Sequence, residues 1–362
     1  SDAHRRQVFI GAGSVNFGGV DAGGPWNHST RIEQLAAQFD ITIVGVADPD
    51  VKRMAFVLEQ RRAGPCPAPW AETRTFTDYK EMLEATHPDV AFVGVPPDCH
   101  GTIEMDLARA GVHMFIEKPL GNDDPERVRA IRDALRDEYS SLVVSVGYHL
   151  RYHAGVERLL AFLKDKTIIS VSARYNSAYK SIPKPFWWDK ARCGGPIIEQ
   201  ATHFCDLLRL VGGEVDKDSI AVSRVSPNAP AGTLSSVPCD EPSEPERRIP
   251  RATGAVFHFA ASGALGTLTH SMSMGGTRYW TEFEVWFDGG RVLLHDPYTD
   301  ACFFQVDWNE PERFDSEDPY FKEDEAFLTA VRDNNPGGVR CTFADAVNTY
   351  QLSWDITTRG QQ

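Results

Sequence analysis

The sequence predicts an α/β protein in two parts: a doubly wound parallel sheet, followed by an α+β domain with a large, mainly antiparallel open sheet. Three observations support this fold class. Short apolar runs alternate with helix-like segments up to about residue 150, and a glycine turn follows the first run. Beyond residue 150 the chain reads as longer strands punctuated by glycines. Strand–helix alternation is typical of doubly wound sheets. The length of 362 residues fits about two domains, which we place at 1–150 and 151–362.

The first part alternates apolar strands with helices that have apolar residues at helical spacing. The strands are rich in Val and Ile and nearly continuous, as expected for strands that are buried on both faces of a parallel sheet. The predicted strands are 7–11, 42–47, 90–95, 112–116 and 142–147, and the predicted helices are 31–39, 51–61, 79–86, 102–110 and 125–138.

The second part begins with a helix at 153–163 and a strand at 168–175. A helix at 197–211 ends at Gly212-Gly213, which suit a C-cap. Several strands follow between 220 and 304, with a hairpin signal at Asp288-Gly289. Helices at 321–332 and 343–357 complete the prediction. Residues 227–251 contain six prolines and predict a flexible surface insertion between two strands.

Composition excludes several classes of function. The net charge is −14, divided equally between residues 1–150 and the remainder, so the chain lacks the clustered cations that nucleic acids and anionic membranes require. No stretch approaches the roughly 20 apolar residues of a membrane helix. The seven cysteines are widely spaced and contain no CxxC pair, which predicts neither a disulfide framework nor a zinc site. We therefore expect a cytoplasmic protein without a metal, a membrane or a nucleic-acid partner.

A glycine turn after the first strand predicts a dinucleotide site. Its first glycine permits a tight turn, and its second lets backbone N–H groups approach a pyrophosphate at a helix N-terminus. The third position of the GxGxxG pattern holds an asparagine, and a long turn over 18–26 delays the next helix to about Asn27 or Ser29. The residues expected at the cofactor are Gly11, Gly13, Ser14, Val15 and Asn16.

An acidic residue, Asp48, ends the second predicted strand. A carboxylate at this place can accept hydrogen bonds from ribose hydroxyls and repels a 2′-phosphate, which favours NAD over NADP. Asp48 could alternatively be a turn residue before Pro49. Lys52 and Arg53 are close enough to keep NADP possible.

The sequence Glu117-Lys118-Pro119 follows the predicted strand at 112–116. Ligands of doubly wound sheets bind at the carboxyl ends of the strands. Lys118 is therefore placed to donate to a substrate hydroxyl and to the nicotinamide ribose, and Pro119 is compatible with a cis peptide bond. The alternative is an exposed lysine on an ordinary loop.

A carboxylate and a histidine share the predicted helix at 197–211. Glu199 and His203 are i,i+4 neighbours, and such a pair can act in acid–base chemistry near neutral pH. Asp206, three residues further on, could orient His203 or bond to the backbone. The alternative is a surface ion pair on an amphipathic helix.

These clusters, in this order, resemble the glucose–fructose oxidoreductase / inositol dehydrogenase (Gfo/Idh/MocA) family over nearly the whole chain. The resemblance implies a Rossmann domain that binds NAD(P) and a C-terminal sheet whose face packs against another subunit, giving a dimer or tetramer. It also implies oxidation or reduction of a secondary alcohol or ketone on a sugar, cyclitol or related diol.

Carried over by position, Lys118 matches the family's active-site lysine and His203 its general acid–base. Glu199 stands where many members have Asp, and Ala201 where many have Gly. We expect Pro96, His100 and Glu117 at the cofactor. We expect the substrate to meet Tyr148, Arg151 and Asp206, together with Tyr179, Lys184, Trp187 and Trp188 from the loop before the helix, although tryptophans are also common in cores.

Two other functions are compatible with the same residues. Transient oxidation could acidify a neighbouring C–H and allow elimination of a glycosidic group or epimerisation, with NAD recycled. Alternatively, the chain could be a non-catalytic NAD(P)-binding sensor. Lys118 and His203 would then have no catalytic role, which argues against this alternative.

Overall fold

The computed structural model describes residues 4–22, 24, 26–276, 278–314 and 317–359. The chain forms two compact units, and the first comprises Ser1–Leu120, Glu126–His149 and Asp318–Ala346. The second comprises Gly121–Pro125, Leu150–Glu317 and Val347–Gln362. This division differs from the expected domains in that a late segment, residues 318–346, belongs to the first unit. Gly23 and Pro25, which are part of the expected long turn, lie outside the described residues.

The first unit contains a parallel sheet whose strand order is β3-β2-β1-β4-β5-β6 in the described part of the chain. The order reverses between β1 and β4, which is where ligands of doubly wound sheets bind. Its strands are β1 (Arg5–Ile10), β2 (Ile41–Ala47), β3 (Arg74–Phe76), β4 (Val90–Val93), β5 (His113–Ile116) and β6 (Val144–Val146). Its first helices are α1 (Ser14–Phe17), α2 (His28–Leu35), α3 (Val51–Ala63), α4 (Tyr79–Thr86), α5 (Thr102–Arg109) and α6 (Glu126–Asp137).

Burial on both faces explains why these strands are almost wholly apolar. All four residues of β4 are buried, and the rings of Phe92 and Phe115 stack on neighbouring strands with centroids 5.0 Å apart. Full burial of one such side chain contributes about 1.5–3 kcal/mol. Helix α2 begins at His28 and is capped by Asn27, whose side chain accepts from the Thr30 amide, close to the predicted start. Strand β3 was not predicted, because its three residues are mostly exposed and carry no apolar run.

The second unit contains a mainly antiparallel sheet, which confirms the predicted fold class. Among the described residues its order is β14-β13-β12-β11-β7-β10-β9-β8, with β7 and β10 parallel. Its strands are β7 (Ile168–Ala178), β8 (Ala221–Val225), β9 (Ala252–His258), β10 (Leu265–Met274), β11 (Trp280–Phe287), β12 (Gly290–His295), β13 (Phe303–Val306) and β14 (Glu312–Arg313). Its helices are α7 (Ala154–Leu163), α8 (Pro185–Trp188), α9 (Lys190–Cys193), α10 (Pro196–Glu199) and α11 (Thr202–Gly212).

Two helices complete the chain. Helix α12 (Pro319–Arg332) belongs to the first unit, and α13 (Phe343–Thr358) starts in the first unit and continues in the second. None of the helices in the described ranges is long and apolar enough to cross a membrane. Short 3₁₀ helices lie at Ala68–Trp70, Pro97–Cys99, His149–Tyr152, Tyr179–Ser181, Lys217–Ser219, Pro230–Gly232 and Pro245–Arg247.

One face of the second sheet forms a core and the other is exposed. Side chains alternate along β7, so that Val171, Ala173 and Tyr175 are buried in the core together with residues of α7 and α11. On the opposite face, Trp280 and Trp286 of β11 are exposed. The turn between β11 and β12 contains Gly289 at φ +98°, as the predicted hairpin requires.

The prediction of a single helix over 197–211 is wrong. Helix α10 ends at Glu199, Gln200 leaves helical geometry with φ −112° and ψ −58°, and α11 begins at Thr202. Glu199 and His203 therefore lie on different helices, and the i,i+4 argument for a shared face does not apply.

The insertion at 227–251 does connect two strands, β8 and β9, but it is not a loose segment. Arg251 forms two 2.7 Å hydrogen bonds with Glu241 and a third with the Gly232 carbonyl. Leu234 and Val237 pack against the cluster that contains Trp188. The proline-rich composition predicted flexibility, but side-chain anchors that are distant in sequence hold the segment in place.

Candidate active site

The glycine turn of the first unit depends on close backbone packing. Gly11 has φ +93°, and a Cβ built on it would lie 2.2 Å from the Gly94 carbonyl oxygen at the end of β4. No side chain fits there, so Gly11 lets β1 and β4 approach each other at the switch point of the sheet.

Gly13 has a different role. It is the N-cap of α1, it is exposed, and a Cβ built on it would meet no protein atom within 4 Å. Protein packing therefore does not explain the glycine, whereas close approach of a ligand to the backbone does. Ser14 and Val15, in the first turn of α1, are half-buried beside this space. This part of the predicted pyrophosphate site fits a dinucleotide.

Asn16 does not act as predicted. It is fully buried, and its Nδ2 donates to the carbonyls of Ile10 at 3.1 Å and Gly11 at 2.8 Å. The Asn16 side chain thus stabilises the glycine turn by bonding to its backbone, and it is directed at the protein and not at a phosphate. A buried side chain that satisfies two turn carbonyls explains why asparagine replaces the third glycine of the pattern.

Asp48 and Arg53 both bind the backbone of the turn. Asp48 Oδ2 accepts from the Ala12 amide at 2.7 Å, and Oδ1 accepts from the Asp50 amide at 2.8 Å. The Arg53 guanidinium donates to the carbonyls of Ala12, Gly18 and Gly19 at 2.8–3.0 Å. The ribose role of Asp48 remains a prediction, and the turn role is present in the structure. The Arg53 guanidinium is therefore already hydrogen-bonded to protein carbonyls.

His100 is also turned to the protein. It is buried, its Nδ1 lies 2.6 Å from Glu104 Oε1, and Glu104 Oε2 accepts from the Gly101 amide at the start of α5. Burial would raise the pKa of Glu104, but the charge of His100 and these hydrogen bonds lower it. This pair caps a helix through His100 Nδ1, and the cofactor contact of His100 remains a prediction. Pro96 is half-buried before the 3₁₀ helix Pro97–Cys99, and its role remains a prediction.

Glu117 belongs to a buried cluster that the sequence did not indicate. Its Oε1 lies 2.9 Å from His28 Nε2, and His28 Nδ1 lies 2.8 Å from Asp324 Oδ1. Burial alone would lower the pKa of His28, but the carboxylates of Asp324 and Glu117 raise it to about 10. Glu117 is thus held inside the unit, and its cofactor contact remains a prediction. Residues 28, 117 and 324 are too far apart in sequence to form a motif.

Lys118 lies at the carboxyl end of β5, as predicted. The Lys118–Pro119 peptide bond is cis, the side chain is half-buried, and the Lys118 amide donates to Glu117 Oε2 at 3.2 Å. The buried Glu117 therefore fixes the backbone from which Lys118 projects. Tyr148, expected at the substrate, is buried in the same unit with 1% of its surface exposed.

In the second unit, His203 lies in the first turn of α11 and is buried. Its ring meets Tyr298 edge-on with centroids 6.1 Å apart. Tyr298 in turn contacts Tyr175 at 5.7 Å and Tyr279 at 6.3 Å. We call Tyr175, Tyr279 and Tyr298 the tyrosine cluster. Sequence reasoning missed it because its members come from β7 and two separate loops.

Glu199 is held close to this cluster by a tryptophan. Trp187 Nε1 donates to Glu199 Oε2 at 2.7 Å. Burial, and then the negative charge of Glu199, raise the pKa of Tyr279, so this phenol stays protonated beside the carboxylate. The half-buried Glu199 thus has a fixed orientation, but Trp187 provides it and helical spacing does not.

The next residue, Gln200, bonds to a second buried histidine. His270 Nε2 lies 2.7 Å from Gln200 Oε1, and Gln200 Nε2 donates to Ser177 Oγ at 3.0 Å. Burial lowers the pKa of His270 to about 3. His270 is therefore neutral and donates to the amide oxygen, which fixes Gln200 between α10 and α11.

Arg151 and Asp206 bind each other. Arg151 donates to both carboxylate oxygens of Asp206, at 2.6 and 2.8 Å, and Thr349 Oγ1 donates at 2.8 Å. Both charged side chains are buried. These bonds give the pair a structural role within the second unit, and the substrate contacts of both residues remain predictions.

The loop before α10 divides into core and surface. Trp188 is fully buried and donates to the Ile182 carbonyl at 2.9 Å, which favours the core alternative for this tryptophan over a sugar contact. The hydroxyl of the buried Tyr179 bonds to Ser235 Oγ of the insertion at 2.7 Å. Lys184 is exposed at the start of α8. Trp187 is buried, and its indole N–H donates to Glu199.

Two family models match the chain. Residues 5–148 match the oxidoreductase family with an NAD-binding Rossmann fold, Gfo/Idh/MocA. Residues 151–290 match an oxidoreductase C-terminal domain. The two models meet near residue 150, where the sequence predicted a boundary.

Curated relatives match the chain over different shares of its length. An uncharacterized protein of Schizosaccharomyces pombe is 36% identical over 97% of this chain and 90% of its own length. Levoglucosan dehydrogenase of Pseudarthrobacter phenanthrenivorans is 23% identical over 60% of this chain and 58% of its own.

Solved structures share the fold. Levoglucosan dehydrogenase in complex with NADH and L-sorbose superposes with a TM-score of 0.73 at 18% identity, covering 98% of this chain and 95% of that one. A 3-ketoreductase from Actinomadura kijaniata, crystallised with NADP, gives a TM-score of 0.72 at 16% identity, covering 97% and 96%.

Proposed function

Because the chain belongs to the Gfo/Idh/MocA family of NAD-binding oxidoreductases, we propose that it transfers a hydride between NAD and a secondary alcohol or ketone of a sugar, cyclitol or related diol. The observation that carries this proposal is Lys118 at the carboxyl end of β5, fixed by Glu117 beside the switch point of the first sheet. His203, placed next to the tyrosine cluster, supplies the second group that the reaction needs.

NAD fits the first unit better than NADP does. A Cβ built on Gly13 would meet no protein atom within 4 Å, which supports close approach of a pyrophosphate, and Asp48 follows β2 with a carboxylate that would repel a 2′-phosphate. Arg53, the cation best placed for a 2′-phosphate, already donates to three turn carbonyls. When bound, the nicotinamide supplies the chemistry of accepting or donating a hydride.

The chain's own groups handle the proton and the oxygen. His203 accepts the hydroxyl proton during oxidation and returns it during reduction, because an imidazole titrates near neutral pH. As the family resemblance implies for this lysine, the Lys118 ammonium donates to a substrate oxygen and stabilises the developing alkoxide. Glu199, oriented by Trp187, accepts a hydrogen bond from a neighbouring hydroxyl of the substrate.

Aromatic groups near His203 favour a sugar-like substrate. The tyrosine cluster and Trp187 offer ring faces that suit the apolar faces of sugar rings, and phenol groups that suit hydroxyls. Levoglucosan dehydrogenase, one of the relatives, is named for such a substrate. These two points support the substrate class and leave the individual sugar to experiment.

Two substitutions test the reaction. Lys118→Ala and His203→Ala should each lower turnover by roughly 10²–10⁴-fold, because each removes the donor or base at the reacting oxygen. Binding of NAD, measured by fluorescence titration, should stay close to that of the wild type. Activity is assayed as NADH formation over a panel of sugars, inositols and other diols.

Matched controls are Lys80→Ala and His258→Ala, which remove the same residue types from exposed positions. Full activity in either test variant would contradict the assignment. Product formation without net NADH would indicate the oxidation–elimination reaction. Cofactor binding without turnover over the whole panel would indicate a sensor.

We also propose that the exposed face of the second sheet pairs with a second copy of the chain. Trp280 and Trp286 of β11 are 49% and 42% exposed there, and Leu265 of β10 and Val256 of β9, further across the sheet, are 40% exposed each. Exposed apolar groups gathered on one surface mark an interaction site. Trp280→Glu combined with Trp286→Glu should reduce the mass measured by light scattering to that of one chain. Trp308→Glu, at a residue 80% exposed outside the strands, should leave the mass unchanged.

A further inference from the structure

A cluster in the first unit brings ligand-type atoms together from three distant segments. His28 comes from α2, Glu117 from the end of β5 and Glu323 from α12. One nitrogen or oxygen of each lies within 4.8 Å of the others, and all three side chains are buried. Two carboxylates and an imidazole in this arrangement form a ligand set for a borderline divalent cation.

Glu323 is the observation that requires a ligand. It has no exposed surface, and neither carboxylate oxygen has a hydrogen-bond partner among the described residues. Burial of a carboxylate without a partner costs several kcal/mol. The proposed reaction makes no use of Glu323, and within the described part of the chain no helix cap or ion pair accounts for it.

His28 is oriented as metal-binding histidines are. Its Nδ1 lies 2.8 and 3.0 Å from the two oxygens of Asp324, so the opposite nitrogen, Nε2, faces Glu117 at 2.9 Å. Metal-bound histidines commonly donate their other ring N–H to a carboxylate, which fixes the tautomer and the ring position. Asp324 has this position without being a member of the ligand set.

The surroundings keep the cluster dry and leave it little freedom. The rings of Phe92 and Phe115 lie 5.4 and 4.9 Å from the His28 ring. A Cβ built on Gly147 would lie 2.6 Å from Glu117 Oε1, so glycine at 147 leaves the space that this carboxylate occupies. Aromatic walls exclude water, which strengthens the interaction of carboxylates with any cation they hold.

We propose that His28 Nε2, Glu117 and Glu323 bind one divalent transition-metal ion, with Zn²⁺ the best match and Asp324 orienting the histidine. Ligand atoms on one tetrahedral zinc lie about 3.4 Å apart, given metal–ligand distances of roughly 2.0–2.2 Å. Small side-chain movements therefore close the observed cluster around an ion. Because Glu117 precedes Lys118, the ion would tie α2 and α12 to the strand end that carries the active-site lysine.

The test measures metal directly. Wild-type protein, prepared with a cleavable tag and a metal-free column, is assayed by plasma mass spectrometry after growth with Zn²⁺ or Mn²⁺. We expect about one ion per chain, and in Glu323→Gln a content lower by roughly tenfold or more. The matched control is Glu325→Gln, which changes the same residue type on the same helix at a half-buried position and should keep the wild-type content.

A second measurement does not depend on the variant. A chelator should lower the Tm of the wild type by on the order of 5 °C, and added Zn²⁺ or Mn²⁺ should restore it. Absence of an ion together with an unchanged Tm would overturn the proposal, even if Glu323→Gln fails to fold. Retention of the ion by Glu323→Gln would overturn the site. Neither measurement involves substrate, so its failure is distinguishable from failure of the proposed reaction.

Discussion

Two buried histidines, one in each unit, have opposite electrostatics. His28 and His270 are both fully buried. Two carboxylates flank His28 and raise its pKa to about 10, whereas His270 bonds to the uncharged amide of Gln200 and burial lowers its pKa to about 3. Because the two histidines are equally buried, the charge of the neighbouring side chains decides whether the pKa of each one is raised or lowered. Without a bound metal ion the first histidine is therefore charged, whereas the second is neutral.

Removing His28 should produce the largest effect. In His28→Leu the carboxylates of Glu117 and Asp324 stay buried without a cation, and loss of one member of a buried ion pair costs about 3–5 kcal/mol. We expect the urea midpoint to fall sharply, and Tm to fall by about 10 °C. Thermal and urea unfolding of the purified variant measure this directly.

His4→Leu provides the control for that prediction. His4 lies 3.2 Å from Asp40, but both side chains are more than half exposed. Exposed pairs contribute about 0–1 kcal/mol, so this variant should unfold close to the wild type. If the two variants lose equal stability, the buried cluster is not the electrostatic element described above.

The second prediction concerns acid and His270. The native pKa is about 3 and the ordinary value is 6.5, so between these values the unfolded chain binds a proton that the native state excludes. Stability therefore falls as pH falls below 6.5. The contribution of His270 at pH 5.5 is a loss of about 1.4 kcal/mol, since one pKa unit corresponds to that energy.

The variant His270→Gln isolates this contribution. Glutamine does not titrate, so the variant should lose less stability than the wild type between pH 7 and pH 5.5. Urea midpoints at the two pH values give the difference. Parallel pH dependence in the two proteins would show that His270 is not held neutral.

The smallest predicted effect comes from a variant that gives His270 a negatively charged neighbour, as His28 has. Gln200→Glu places a carboxylate on the atom position that His270 Nε2 contacts at 2.7 Å. An adjacent negative charge raises the pKa of a histidine, and the Ser177 hydroxyl can rotate to donate to the new carboxylate. The variant should therefore lose the acid sensitivity of the wild type over the same pH interval. Unchanged acid sensitivity would mean that burial outweighs the neighbour's charge at this site.

Local sequence patterns predicted most of the fold. Apolar runs such as residues 8–10 in β1, residues 43–47 in β2 and the whole of β4 indicate burial on both faces, and burial of this kind is visible in the sequence because nearly every position of the run is apolar. The exposed β3 and the division of the final segment between the units were not predictable in this way. Neither has a local signature, since each depends on where distant segments pack.

The same distinction, between features with a local sequence signature and features that depend on distant segments, applies to the candidate site. The glycine turn, Asp48 and Lys118 were found because each follows directly on a recognisable strand. Glu199 and His203 were paired by helical spacing, but the structure separates them by a break at Gln200 and supplies Trp187 as the partner of Glu199. Asn16, His100 and Trp188 have residue types that suit a ligand site, yet all three are buried among protein partners.

By itself, the sequence determined the alternation of strands and helices, the open glycine at 13 and the position of Lys118 at a strand end, because each follows from neighbouring residues. Only the tertiary structure decided which polar groups have partners. His28 is hydrogen-bonded to Asp324, 296 residues away in the sequence, and Arg209 to Thr349, 140 residues away. No local sequence pattern predicts such long-range contacts. Hydrogen bonding, burial and the resulting pKa values depend on them, so the chemistry of the buried groups becomes visible once the chain is folded.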